Sequence, residues 1–106
     1  MFIALYEMVA KEGQESEFEQ AWAEVTDHIY ARYGSLGSRL HKTEKPRTYV
    51  AYAQWPSKDV YFADHAEGSD EEIAARDRMN AAKESSRTLH LMDVCDDRLR
   101  AVVAQS

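Results

Sequence analysis

The side chains of this sequence with the widest chemical reach are four histidines, one cysteine, two tryptophans and six tyrosines. His28, His41, His65 and His90 form no i, i+4 pair and stand beside no cysteine cluster, so the spacing that a dedicated metal site needs is missing. Cys95 has no second thiol for a disulfide, zinc or redox motif, and a partly buried small hydrophobe is the expectation for it. No G-x-S-x-G, P-loop or dinucleotide fingerprint is present. Two patterns remain. Arg76, Asn80, Lys83 and Arg87 fall at steps of four, three and four, which on a helix makes one stripe able to attract an anionic ligand; a solvated charged face is the plainer alternative. The stretch "RTYVAYAQWPS" alternates like a strand but is largely apolar on both sides, with Tyr49, Ala51, Ala53 and Trp55 on one and Val50, Tyr52 and Gln54 on the other.

These residues need elements to hold them, and the period of the apolar residues switches several times along the chain. Phe2 to Val9 is continuous, rich in aromatic and branched types and too short for a buried helix, so it is expected to be a strand. Phe18, Trp22, Val25, Ile29 and Tyr33 then recur at steps of four, three, four and four, the apolar stripe of an amphipathic helix that Gly34 stops. Ser16 and Glu19 have capping-box spacing, with a start nearer Gln14 as the alternative. "LGSRLHKTE" and "RTYVAYAQW" are expected to form a hairpin around Pro46. Pro56 lacks a backbone donor and Ser57 can cap a short helix over "SKDVYFADH". Ser69 and Glu72 open a second, alanine-rich helical segment within "EGSDEEIAARDRMNAAKESSR". "TLHLMDV" resumes strand-like alternation, and "CDDRLRAVVAQS" is either a strand extension or a frayed helix.

The expected fold class is therefore α+β, a ferredoxin-like split β-α-β sandwich with an antiparallel sheet. At 106 residues the chain is expected to be a single domain. In this fold the helices cover one sheet face only. The other face would carry Ile3, Leu5, Val9, Val50 and Tyr52, an apolar patch of the scale that marks an interaction site. A homodimer packing sheet against sheet is the expectation. The formal net charge of −6, with 13 scattered Lys and Arg residues, speaks against nucleic acid and anionic membranes as partners. The apolar start "MFIALYEMV" has no basic flank and is interrupted by Glu7, so a cytoplasmic location is expected.

The segment "YVAYAQWPSKDVY", preceded by "GSLGSRLHKTE" and the "WAEVT" helix, resembles the antibiotic biosynthesis monooxygenase (ABM) family of the dimeric α/β-barrel superfamily, and the likeness runs through about residue 90. Its most specific part is Y-A-Q-W followed by Ser57 and Tyr61. The resemblance implies a homodimer whose sheets form a barrel, and a cofactor-independent oxygenase that oxidises a small or polycyclic aromatic phenol in a cleft between sheet and helices. It implies no cofactor. By the same resemblance Trp55 walls the pocket and its N–H bonds a substrate or peroxide oxygen, Tyr61 donates to a phenolate, His41 moves a proton, and Arg76 pairs with an oxyanion. Tyr49, Ala51 and Ala53 would line the substrate side, the alanines leaving room for a flat ring. One residue departs from the family pattern: anthrone-oxidising members have asparagine four positions before the tryptophan, where this chain has Ala51. Tyr49 or His41 would have to replace that donor, or the substrate differs. The competing expectation is a non-catalytic dimer of the same fold that binds a small hydrophobic molecule or acts as an accessory protein. Haem degradation fits less well, because Glu7 stands where those relatives place an asparagine, although His65 follows the strand tryptophan at a suggestive distance.

Overall fold

Phe2–Ala10 forms strand β1, and Glu15–Tyr33 the long helix α1. The hairpin follows as β2 (Ser38–Lys42) and β3 (Thr48–Trp55), then the short helix α2 (Lys58–Phe62), α3 (Asp70–Ala82) and β4 (Lys83–Asp93). The computed structural model describes residues 1–65 and 68–100. All strand pairs are antiparallel in the order β2-β3-β1-β4, so the first strand lies between the third and the fourth as the split β-α-β pattern requires. The expected α+β class and ferredoxin-like arrangement are those observed.

Boundaries follow local chemistry where the caps are strong. Gly34 ends α1 with φ at 78°, a left-handed conformation that glycine adopts without strain. The Ser57 hydroxyl accepts from the Val60 N–H and the Ser69 hydroxyl from the Glu72 N–H, as capping predicts. The Ser16–Glu19 box does not form. Helix α1 starts at Glu15 behind Gln14, and the Glu19 carboxylate is used elsewhere, accepting from the Tyr49 hydroxyl at 2.7 Å.

Three expectations fail near the chain's end. The alanine-rich helix stops at Ala82, and β4 begins at Lys83, not Thr88, because residues 83–88 pair with Ala10 back to Tyr6 of β1. Long-range pairing overrides the high helix propensity of that stretch. The Arg76, Asn80, Lys83, Arg87 stripe is therefore split between a helix and a strand. Cys95 is exposed, not partly buried, since it lies in the irregular segment after β4. The tail is neither strand extension nor helix as far as Arg100; residues 101–106 lie outside the described residues.

The helices cover one sheet face. The β1–β3 register sets Phe2 beside Trp55, Ala4 beside Ala53, Tyr6 beside Ala51 and Met8 beside Tyr49, so these eight side chains share the covered face. Two buried clusters lie there. In one, Phe18, Ala21 and Val25 of α1 and Ala75, Met79 and Ala82 of α3 close over Tyr49 and Ala10. In the other, Phe2, Ala4, Ala53 and Trp55 meet Ile29, Tyr33, Val60 and Tyr61. Arg78 of α3 pairs with Glu24 of α1 on the outer surface. No helix among the described residues is long and apolar enough to cross a membrane.

Candidate active site

Between the clusters the sheet and helices part. A cavity of about 490 Å³ opens over β3 and β1, its floor made by Ala51, Ala53 and Tyr6, its roof by Trp22, Val25 and Ile29 of α1, and one end by Trp55. That volume lies within the range of small-molecule sites, roughly 300–1,000 Å³. The floor is low because two consecutive inward positions of β3 are alanine, which removes side-chain volume where a flat ring can lie on the strand. A second, more open hollow of about 570 Å³ lies on the other side of Trp55, bordered by Tyr33, Tyr61, Phe62, His65 and Glu72. Trp55, Ile29 and Arg76 line both and act as the partition.

Trp55 is 7% exposed, fixed at the end of β3 by pairing with Phe2 and walled by an edge-on Tyr61 ring at 5.4 Å and a stacked His65 ring at 6.0 Å. Its indole N–H is buried without any hydrogen-bond acceptor. A buried donor in that state costs about 1–3 kcal/mol relative to a satisfied one.

Beside it, the Tyr6 and Tyr61 hydroxyls meet at 2.6 Å. Each hydroxyl carries one proton, so within the pair one proton is used and the other is left to donate outward. Burial, and then the bond and charge of Tyr61, push the Tyr6 phenol well above its ordinary value, so it stays protonated. Tyr6 was not singled out from the sequence. The signal for it was present, since the alternation of β1 puts Tyr6 on the same side as Phe2, Ala4 and Met8 and a tyrosine there brings a polar tip into an apolar cleft.

Glu72 is a second residue that the sequence concealed, because its spacing from Ser69 suggested only a cap. It is 3% exposed, its carboxylate accepts from the Tyr33 hydroxyl at 3.0 and 3.1 Å, and the Arg76 guanidinium lies 3.5 Å away. Gly68 backs directly onto this carboxylate: a side chain there would collide with it. Glu72 thereby fixes Arg76 at the partition.

Among the sequence-derived site residues, Trp55, Tyr61 and Arg76 come together around the outer hollow, while Ala51 and Ala53 floor the inner cavity. His41 and Tyr49 do not join them. His41 pairs with Val50 on the open sheet face, is exposed, and its Nδ1 lies 3.0 Å from the Val50 carbonyl; its neighbour Leu40, opposite Ala51, is on the covered face. Tyr49 does face the helices, but its ring packs on Phe18 at 5.0 Å and its hydroxyl is spent on Glu19. Neither lies beside Ala51 in the cavity, whereas Tyr6, the register partner of Ala51, lines it. No group of three or more His, Cys, Asp or Glu side chains converges among the described residues.

The sequence profile of the antibiotic biosynthesis monooxygenase family matches residues 1–78. No curated protein matches the chain. Solved structures do. A candidate antibiotic biosynthesis monooxygenase from Caulobacter crescentus is 17% identical with a TM-score of 0.71, covering 90% of each chain. One from Bordetella bronchiseptica is 19% identical with the same TM-score, 0.71, covering 88% of this chain and 95% of its own. SnoaB, a cofactor-independent oxygenase from Streptomyces nogalater, is similar in an asparagine-to-alanine variant at 17% identity and a TM-score of 0.70, with 93% and 97% covered. At these identities the structures establish a shared fold.

Proposed function

The chain belongs to the antibiotic biosynthesis monooxygenase family, and from that premise we propose that it is a cofactor-independent monooxygenase oxidising a small or polycyclic aromatic phenol with O₂. The observation that carries this reading is the Trp55 N–H, buried without an acceptor in the wall of a flat-floored cavity. Kinship with SnoaB supports it.

An electron-rich phenol needs no metal to meet O₂, because its anion can itself pass an electron to the gas. In an anthrone, the methylene carbon then gains one oxygen atom as a carbonyl, and the other leaves as water with the two methylene hydrogens. The protein's part is to position the ring, favour the anion and hand over protons. Ala51 and Ala53 set the ring on β3. The Trp55 N–H and the free proton of the Tyr6–Tyr61 pair donate to the phenolate or peroxide oxygen, and the Arg76 guanidinium in the cavity wall favours an anionic ligand as a whole. In this assignment Tyr6 takes the place of the donor that Ala51 lacks, and His41 has no role.

Oxygen uptake with a panel of anthrones and hydroquinones, for the native chain and Trp55→Phe, tests the proposal. Loss of one well-placed donor should slow uptake on the order of a hundredfold. Saturable quenching of tryptophan fluorescence by the same compounds without any uptake would establish the binding alternative instead. We also place a homodimer on the open face, where Leu5, Val9, Val50 and Tyr52 are left only half-buried by the chain itself. Sedimentation at micromolar concentration should give a dimer, and a monomer alone contradicts this assignment.

A further inference from the structure

The inner cavity has the wrong sign for this protein. The chain carries 19 acidic residues against 13 Lys and Arg, yet among the described residues no Asp or Glu lines the cavity, while Arg76, Lys83 and Arg87 do. Arg87 is otherwise engaged: it pairs in register with Glu7 on the open face, and its Nε donates to the Glu7 carboxylate at 3.1 Å. The other two cations belong to the cavity.

Lys83 is the first residue of β4 and pairs with Ala10, whose side chain is buried beneath the helices, so the lysine stem is carried onto the covered face. It is half-buried and has no ion-pair partner among the described residues. Burial, and then the nearby Arg76 charge, hold its ammonium below the ordinary lysine value. Glu72 meets Arg76 from the side of the outer hollow and does not line the inner cavity, so Lys83 brings a positive charge there that no acid among the described residues meets and that an anion completes. Asn80, Ser86 and Thr88 line the same end and add an amide and two hydroxyls. Guanidinium and ammonium together suit a planar carboxylate, which the arginine can grip with two donors and the lysine as a point charge.

We propose that the ligand of this cavity is a hydroxylated aromatic acid, its carboxylate seated between Arg76 and Lys83 and its phenolic ring on Ala51 and Ala53, reaching toward Trp55. The inference rests on the reading of the cleft as a phenol-binding site, and it names Lys83 as a specificity-determining residue.

The probe is a dihydroxyanthraquinone-2-carboxylate, with its carboxamide as the neutral control, titrated by tryptophan fluorescence. The acid should bind about tenfold more tightly than the amide, the scale of one charge-assisted hydrogen bond. Lys83→Gln should remove that preference by weakening the acid alone, and Lys83→Arg should retain it. Equal binding of the two probes, absence of binding by both, or equal weakening of both by Lys83→Gln overturns the proposal. A retained acid preference with no oxygen uptake by any phenol upholds the anion site and removes the oxygenase reading instead, so the two failures are distinguishable.

Discussion

The two clusters beneath the helices are built from similar residues and finish differently. Around Tyr49 every polar atom has a use: the hydroxyl donates to Glu19, the ring lies on Phe18, and alanines of α1 and α3 let the helices close down. Around Trp55 the chain stops short, leaving an indole N–H without an acceptor, a tyrosine pair with one proton to spare, and an arginine facing a hollow. Both clusters sit on the same sheet face, so exposure of the strand does not explain the contrast. The first region is finished as a core. The second has donors in place of side-chain volume, as the proposed binding site requires.

Changes in the first region should therefore cost stability and spare chemistry, and changes in the second should do the reverse. The largest effect should come from Phe18→Ala, which empties a fully buried position and should lower unfolding stability by about 3–5 kcal/mol while oxygen uptake per folded molecule stays unchanged; denaturant titration beside a rate assay checks both. Tyr49→Phe should cost about 1.5 kcal/mol for the lost bond to a carboxylate and again leave uptake alone. Tyr61→Phe should cost under about 1 kcal/mol yet reduce uptake at least tenfold. A chemically silent Tyr61→Phe would erase the distinction between the regions. The smallest effect concerns pH. Burial, and then the bond and charge of Glu19, push the Tyr49 hydroxyl up to about 12, whereas an unfolded tyrosine titrates near about 10. The folded state thus holds the proton more tightly, so this contribution to stability is intact below about pH 10 and is lost as pH rises through the folded value. Unfolding midpoints followed from neutral to alkaline pH should fall more steeply for the native chain than for Tyr49→Phe.

The sequence contained much of this contrast, though unevenly. Alternation in β3 assigned Ala51, Ala53 and Trp55 to one face, and the helix stripe showed what would cover it, because both periods are local properties. The face of His41 is hidden in the sequence because the β2–β3 register is set across the turn around Pro46, and a shift of one residue exchanges faces. Lys83 and Arg87 carry a helical spacing in an alanine-rich stretch because propensity is local, while their pairing with β1 spans most of the chain. The hydroxyl partners of Tyr6 and Tyr49 come from α2 and α1 respectively, contacts that no local window reveals.

The most direct test of the central claim follows the oxygen atom itself. An anthrone is incubated with the native chain under ¹⁸O₂, and the quinone formed is weighed against the spontaneous background and against Trp55→Phe. The account predicts a product that gains one labelled oxygen at a protein-dependent rate, which falls toward background in the variant. Labelling at the background rate with the native chain, or at an undiminished rate with Trp55→Phe, would contradict it.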